Sequence, residues 1–313
     1  MSEDDVGAGL FLFSKNGKPI GEIQMKKMKM SLLSIAMLLI TIVLVACQTG
    51  ESSTEDTDVL AQIIENSELN VGIAPGYPPY EFYILDENGD RQIAGSDTDL
   101  AKAIADEIGV ELVFTATDFN GVMANIQASS IDMGISGFNY TQERAEVMQF
   151  SEGYLQEQST GFQGIMMQAD KAAEFSSLDE IKEANLVFGA QGGSIQYELA
   201  SGLTAESNLK QYSTLDVGLA ALNEGDIDGM VVSTSSAEPM LLTFPGLTIL
   251  PKEDFDLDPE QIYSTNVIAF PQGEGYESLI EVANEVIQKN KEDGTIEKWH
   301  ADAIKLSREA IDE

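Results

Sequence analysis

The chain has 313 residues, 43% of them apolar and 22% charged, enough for two lobes with hydrophobic cores of their own. Its 53 acids against 17 basic residues give a formal net charge of −36, which repels phosphate backbones and argues against a nucleic-acid partner. A single cysteine excludes an intramolecular disulfide, and with a single histidine besides, no Cys/His zinc site or histidine-centred triad is expected.

In chain order, Lys26, Lys27 and Lys29 precede "MSLLSIAMLLITIVLVAC", an uncharged and mostly apolar run. A basic stretch before such a run reads as a secretory signal, so residues 1–46 are expected to be removed. The acidic opening "MSEDD" is foreign to a signal and places the expected translation start at Met25 or Met28. "LVAC", ending at Cys47, resembles the lipobox of bacterial lipoproteins, which implies an acylated Cys47 as the mature N-terminus; the bland reading is a small buried thiol. Residues 47–57, "CQTGESSTEDT", are too polar to bury a core and read as a tether. No later run reaches the roughly 18 apolar residues that cross a bilayer. The expected address is therefore the extracellular face of the cell membrane, on a lipid anchor.

The body alternates strands and helices. "LNVGIA" (69–74) is a strand and "PGYPPYEF" (75–82), with three prolines, a loop. "DENGDRQ" is a hairpin turn, and Asp97 is expected to cap a helix that carries Leu100, Ile104 and Ile108 and stops at Gly109. "VELVFTA" is a strand, "FNGVMANIQASS" a short helix and "IDMGIS" a strand. Thr141 is expected to cap a helix holding Arg144, Val147 and Met148. The second half repeats the rhythm: "SLDEIKEA" helix, "NLVFGA" strand, "SIQYELAS" helix, "TLDVGLAALNEG" helix, "IDGMVVS" strand, "SSAEPMLLTF" helix, "YSTNVIAF" strand, then two closing helices. The alternation points to an α/β fold of two lobes with mostly parallel sheets.

Few residues carry chemistry. His300 reads as a surface or helix-end residue. There is no GxxxxGK[ST] and no GxGxxG, and the carboxylates show no calcium-loop or acid/base spacing, so neither metal nor cofactor is expected. "VFGAQGGSIQYEL" (187–199) is a strand, a glycine turn holding Gln191, and a helix whose free N–H groups and Ser194 hydroxyl attract an anion; taken alone, the pattern favours the bland reading of a plain serine-capped turn. "SGFNYTQER" offers the Gly137 N–H, the Asn139 side chain and Arg144, one of three arginines after Cys47. An arginine fork holds a carboxylate by two parallel bonds, and the alternative is a surface arginine paired with Glu143 or Glu146. Tyr77 and Phe119 are core residues or the walls of an apolar ligand stem.

Taken in order, "LNVGIAPGYPPYEF", "GSDTDLAKAIADEIG", "TDFNGVMANIQASSIDMGISGFNYTQERAEVMQFS", "VFGAQGGSIQYEL" and "ALNEGDIDGMVVS" resemble the polar-amino-acid family of bacterial extracellular solute-binding proteins, the receptors of ABC importers. The resemblance covers nearly all of residues 66–304. It implies the two-lobed periplasmic-binding-protein (Venus-flytrap) fold, two hinge strands, and closure on a ligand held in the cleft. Lobe 1 is expected at 58–158 plus 265–313 and lobe 2 at 159–264. By the same resemblance, Arg144 holds the ligand α-carboxylate, Gly137 and Asn139 support it from lobe 1, Ser194 reaches it from lobe 2, and Tyr77 and Phe119 pack on the side chain. The family usually follows the "DGMVV" strand with an acid that takes the α-ammonium, whereas this chain has Ser233 there. Glu238 swinging in or a shifted loop, carbonyls and a different acid holding the amine, or a ligand that is not an ordinary α-amino acid would each accommodate the change.

The function implied is a lipid-anchored receptor, expected to be monomeric, that binds an amino acid or related small carboxylate and delivers it to ABC permease subunits without chemistry. A same-fold enzyme of the cyclohexadienyl dehydratase type would need a general acid or base in the cleft, and no motif places one. A sensor domain would ordinarily carry a membrane segment after Cys47.

Overall fold

The computed structural model describes residues 58–156 and 161–312. The signal region, Cys47, the tether and the last two residues of the expected first lobe-1 segment lie outside the described residues.

Asp58 caps α1 (Val59–Asn66) by accepting from the Leu60 N–H at 3.0 Å, and Ser67 ends it in the left-handed conformation. Strand β1 (Glu68–Ile73) follows, with Leu69, Val71 and Ile73 fully buried. β2 (Phe82–Leu85) and β3 (Arg91–Ala94) form a hairpin whose turn is held by Asp86, which accepts from the N–H groups of Asn88 and Asp90.

Helix α2 (Ser96–Ile108) buries Leu100, Ala101, Ile104 and Ala105 and stops at Gly109. Asp97 is not its cap. Gly95 holds that position without a side-chain bond, and Asp97 sits in the first turn, buried, accepting from the Gly137 N–H and the Tyr154 hydroxyl, both at 2.8 Å. β4 (Glu111–Ala116), α2's neighbour in sequence, leads to Asp118, which caps α3 (Phe119–Gln127). β5 (Met133–Gly134) precedes the one-turn helix α4 (Gln142–Ala145), capped by Thr141 as expected. The helix ends before Val147, and Met148 instead opens β6 (Met148–Phe150), because it must pair with β14 (Ala269–Pro271) at the sheet edge.

The second set comprises β8 (Gln163–Gln168), α5 (Ala169–Ala172), α6 (Leu178–Glu183), β9 (Phe188–Gln191), α7 (Ile195–Ser201), β10 (Leu209–Tyr212), α8 (Leu215–Glu224), β11 (Gly229–Ser233), α9 (Thr234–Ala237), β12 (Leu247–Ile249) and α10 (Lys252–Phe255). The expected single strand over "YSTNVIAF" is two pieces, β13 (Thr265–Asn266) and β14, separated where the chain passes from one pairing to another. Helices α11 (Glu277–Glu292) and α12 (Thr295–Asp312) close the chain.

The two five-stranded sheets have the orders β4-β1-β5-β14-β6 and β10-β9-β11-β8-β12. In each, one strand, β14 or β8, runs against the other four. Both sheets are thus mostly parallel, and the opposed strand is the one that enters after β7 (Leu155–Gln156) or β13, the antiparallel pair that joins the lobes. Each sheet carries its own buried cluster: Leu69, Ile104, Phe270 and Ile287 about the first, Ile165, Phe188, Val231 and Phe255 about the second. Among the described residues no helix is long and apolar enough to cross a membrane. In such open α/β sheets, functional loops gather beyond the carboxyl ends of the strands, and here these are the loops after β1, β4, β5 and β9.

Candidate functional site

Those four loops meet at a pocket of about 320 Å³, mouth included, lined by Tyr77, Glu81, Phe119, Ser136, Gly137, Asn139, Arg144, Gln191, Ser194, Ile195 and Gln196. The structure therefore brings together seven of the eight expected ligand-site residues. The eighth, Ser233, is outside the lining: it ends β11 at the cap position of α9, 3% exposed, with its hydroxyl 2.9 Å from that of Ser235. Glu238 is exposed.

Arg144 is 7% exposed and forms no ion pair with Glu143 or Glu146 among the described residues. This disfavours the bland reading of a surface pair. Its Nη1 donates to the Asn139 carbonyl at 2.8 Å and its Nη2 to the Gly193 carbonyl at 3.0 Å. The guanidinium lies 5.5 Å from the ring centre of Phe119 and 5.7 Å from that of Phe138, within cation–π range. Burial lowers its pKa to about 10 against the pull of Glu198 and Glu143, so it stays charged at neutral pH. Two of its five N–H donors are thus committed to backbone oxygens, and one of these bonds crosses from the first lobe to the second.

The neighbouring groups are more occupied than the sequence indicates. The Gly137 N–H goes to Asp97 rather than into the pocket. Asn139 Nδ2 donates to the carbonyls of Tyr263 and Thr265, tying the loop to the hinge. The Ser194 hydroxyl donates to the Gln191 carbonyl at 2.6 Å and accepts from the Tyr197 N–H, capping α7. Gln191 reaches the Ser213 carbonyl at 3.3 Å. Tyr77 stacks on Tyr80, ring centres 5.5 Å apart, and Phe119 tilts against Phe138 at 4.7 Å. Gly193 has φ of +71°, and a Cβ there would sit 2.3 Å from Asn120 Oδ1 of α3, so the turn needs glycine both for its conformation and for its approach to the opposite lobe.

Four lining residues escape the sequence reading: Glu81, Ser136, Ile195 and Gln196. Glu81 is 1% exposed and accepts from the Ser136 hydroxyl at 2.6 Å, while Ser136 accepts from the Ala74 N–H. Burial, then the Asp97 carboxylate, raises the Glu81 pKa well above the usual range, with Ser136 acting the other way. Burial also raises Asp97 to about 6, against the Gly137 and Tyr154 bonds. The one available signal for Glu81 was an acid set between two aromatics, Tyr80 and Phe82, in a proline loop.

His300 is a correction. It is buried, 5% exposed, with Nδ1 3.3 Å from the Ser96 hydroxyl and its ring 5.2 Å from that of Tyr80, and burial lowers its pKa to about 4. It serves the packing of α12 on the Tyr80 loop. Among the described residues no group of three His, Cys, Asp or Glu side chains could hold a metal ion.

A two-lobed α/β body, hinged by two short strands and with a buried arginine in the pocket, defines the class of small-solute receptors. The sequence pattern of the bacterial extracellular solute-binding proteins, family 3, matches residues 69–304, and the chain belongs to that family. It is 26% identical over 251 residues to a probable histidine-binding protein of Campylobacter jejuni, covering 80% of this chain and 89% of that one. The structure of AbpA, an amino acid ABC transporter substrate-binding protein of Streptococcus pneumoniae bound to L-arginine, is similar with a TM-score of 0.69 at 29% identity, covering 79% of this chain and 98% of AbpA. An ancestral amino acid-binding protein, AncCDT-1, described as a precursor of cyclohexadienyl dehydratase, shares the fold with a TM-score of 0.66 at 24% identity, over 79% of this chain and 99% of its own.

Proposed function

We propose that the protein is a lipid-anchored receptor on the extracellular face of the membrane that captures an amino acid or a close relative and delivers it to an ABC permease, unchanged. The observation that carries this reading is Arg144, a buried charged guanidinium in a pocket walled by Tyr77 and Phe119 and closed by the Gln191–Gln196 turn. The remaining Arg144 donors take the ligand carboxylate; the Ser194 end of α7, with its N-terminal dipole, adds to the field from the other side. Lobe 1 is then 58–158 plus 265–313 and lobe 2 is 159–264, with β7 and β13 as the hinge. Cys47 carries the lipid, and the receptor acts as a monomer.

Calorimetric titration of the protein with the twenty amino acids and a set of amine-free carboxylates tests the reading. Tight binding of one amino acid class is expected, and heat from none of these compounds overturns it. Labelling of cells with a fatty-acid probe, lost in Cys47→Ser, tests the anchor.

One observation favours a second reading. Glu81 is a buried carboxyl whose raised pKa suits a general acid, the group a dehydratase built on this fold would need. Product formation from a candidate substrate, lost in Glu81→Gln, would decide for it.

A further inference from the structure

A groove of about 1120 Å³, mouth included, runs between strand β6 and helix α11 and shares no lining residue with the pocket. β6 is the outermost strand of the first sheet and pairs on one side only, with β14. The Ser151 N–H donates to the Ile268 carbonyl at 3.0 Å, so by the alternation of an antiparallel ladder the Phe150 N–H and carbonyl point the other way, to the open edge. Such an edge accepts a further strand unless something covers it. Helix α11 covers part of it: Asn284 Oδ1 accepts from the Glu152 N–H at 2.7 Å. Among the described residues no group does the same for the Phe150 backbone. The half-buried side chains of Phe150 and Ile280 give the groove an apolar lining.

The charged lining has one sign. Glu152, Glu277, Glu281 and Glu285 are exposed, and no lysine or arginine joins them among the described lining residues. The last three fall every fourth residue along α11 and form one row, an arrangement of like charges that destabilises a helix. The lysines of the same helix do not relieve it: Lys289 pairs with Glu107, and Lys291 donates to the Gly153 carbonyl at 2.7 Å. The chain enters the described fold beside this row, because the Val59 N–H donates to the Gly275 carbonyl and the Ser278 hydroxyl to the Asp58 carboxylate. The preceding segment "CQTGESSTEDT" brings three acids and no base, so charge argues against it as the occupant. A second copy, with its net charge of −36, and an anionic lipid surface are disfavoured on the same ground.

We propose that this groove docks an extended, lysine- or arginine-bearing segment of a partner protein. The segment adds a strand at Phe150. The apolar stems of its basic side chains lie on Phe150 and Ile280, and their charged heads meet the glutamate row. The spacings agree. Side chains on one face of a strand recur about every 6.6–6.8 Å, and residues four apart on a helix recur about every 6 Å. A Lys-x-Lys-x-Lys pattern running along α11 therefore faces Glu277, Glu281 and Glu285 in turn. The inference does not depend on what the pocket holds.

The test is fluorescence anisotropy of a labelled Lys-Thr-Lys-Thr-Lys-Thr-Lys peptide with the protein at about 0.15 M salt, where attraction beyond roughly 8 Å is screened. Binding is expected, and E281Q/E285Q should weaken it by about 2- to 30-fold, the worth of two exposed ion pairs. E206Q/E224Q, which removes two exposed carboxylates elsewhere, should bind as the parent does. The peptide with every backbone nitrogen methylated keeps its charge but cannot donate to the β6 edge, and should lose most of the binding. Equal weakening by both variants would mean diffuse attraction to an acidic surface and overturns the proposal. Unchanged binding in E281Q/E285Q, undiminished binding of the methylated peptide and no binding at all each do the same. Sedimentation of the protein alone as a dimer that E281Q/E285Q alters would seat a second copy in the groove, and retention on phosphatidylglycerol vesicles that it alters would seat a membrane there; either overturns the basic partner. The four substituted glutamates are exposed, so both variants should melt with the parent.

Discussion

Arg144 of the first lobe donates to the Gly193 carbonyl of the second at 3.0 Å. The residue read as the ligand anchor is also a direct tie between the lobes. On the proposed reading, the ligand and the opposite lobe draw on different donors of the same guanidinium, which makes its substitution informative about both.

Arg144→Ala is expected to lower ligand affinity by about 100-fold or more, the loss of two charge-assisted bonds, and also to lower the melting temperature, because the same side chain donates to the Asn139 and Gly193 carbonyls. Arg144→Lys should recover the charge but not the fork, and so little of the affinity. Calorimetry and a thermal melt on the same samples check this; parent-like binding by Arg144→Ala would rule out the anchor role.

Gly193→Ala places a methyl against Asn120 and forces a left-handed conformation that costs about 1–2 kcal/mol. The opposing lobes are expected to part, raising the radius of gyration seen by small-angle scattering in the presence of ligand and weakening binding. Asn120→Gly in the same chain should restore much of the closure, because it removes the atom the methyl meets.

Asn139→Ala removes two bonds to the hinge carbonyls of Tyr263 and Thr265. Each bond contributes about 0.5–1.5 kcal/mol, so urea denaturation should show a loss of roughly 1–3 kcal/mol. The variant isolates the hinge role from any ligand contact, since a change in stability without a proportionate change in affinity is the expected pattern.

His300 has a folded pKa of about 4, below the unfolded value of about 6.5. Between these values the unfolded chain binds the extra proton, so the stability His300 permits is whole above about pH 6.5 and is lost as pH falls towards 4. Asp97, raised to about 6, has the opposite sign: the folded state holds its proton more tightly, and its contribution grows as pH falls from 6. His300→Gln should therefore make the protein more resistant to acid between pH 6.5 and 4 than the parent, by up to roughly 3 kcal/mol, read from thermal melts across that window.

Ser233→Asp would bury a carboxylate at a position 3% exposed and outside the pocket lining. It is expected to lower stability by a few kcal/mol without raising affinity for any amino acid. A gain in affinity would place the ligand amine at β11.

What the sequence by itself determined lies in local patterns. The apolar spacing of Leu100 and Ile104, the stop at Gly109, the Thr141 and Ser194 caps and the Asp86 turn are all set by neighbours a few residues away, and the structure places each as read. The ordered segments likewise carried the family and, with it, the two-lobed fold. What only the tertiary structure decided are the groups whose state depends on partners far along the chain. Asp97 reads as a cap but accepts from Gly137 and Tyr154; His300 reads as surface but packs on Tyr80; Glu81 reads as one acid among 53 but is desolvated against Asp97 and Ser136. Burial and long-range hydrogen bonding fix the charge state of a side chain, and neither is written in its local spacing.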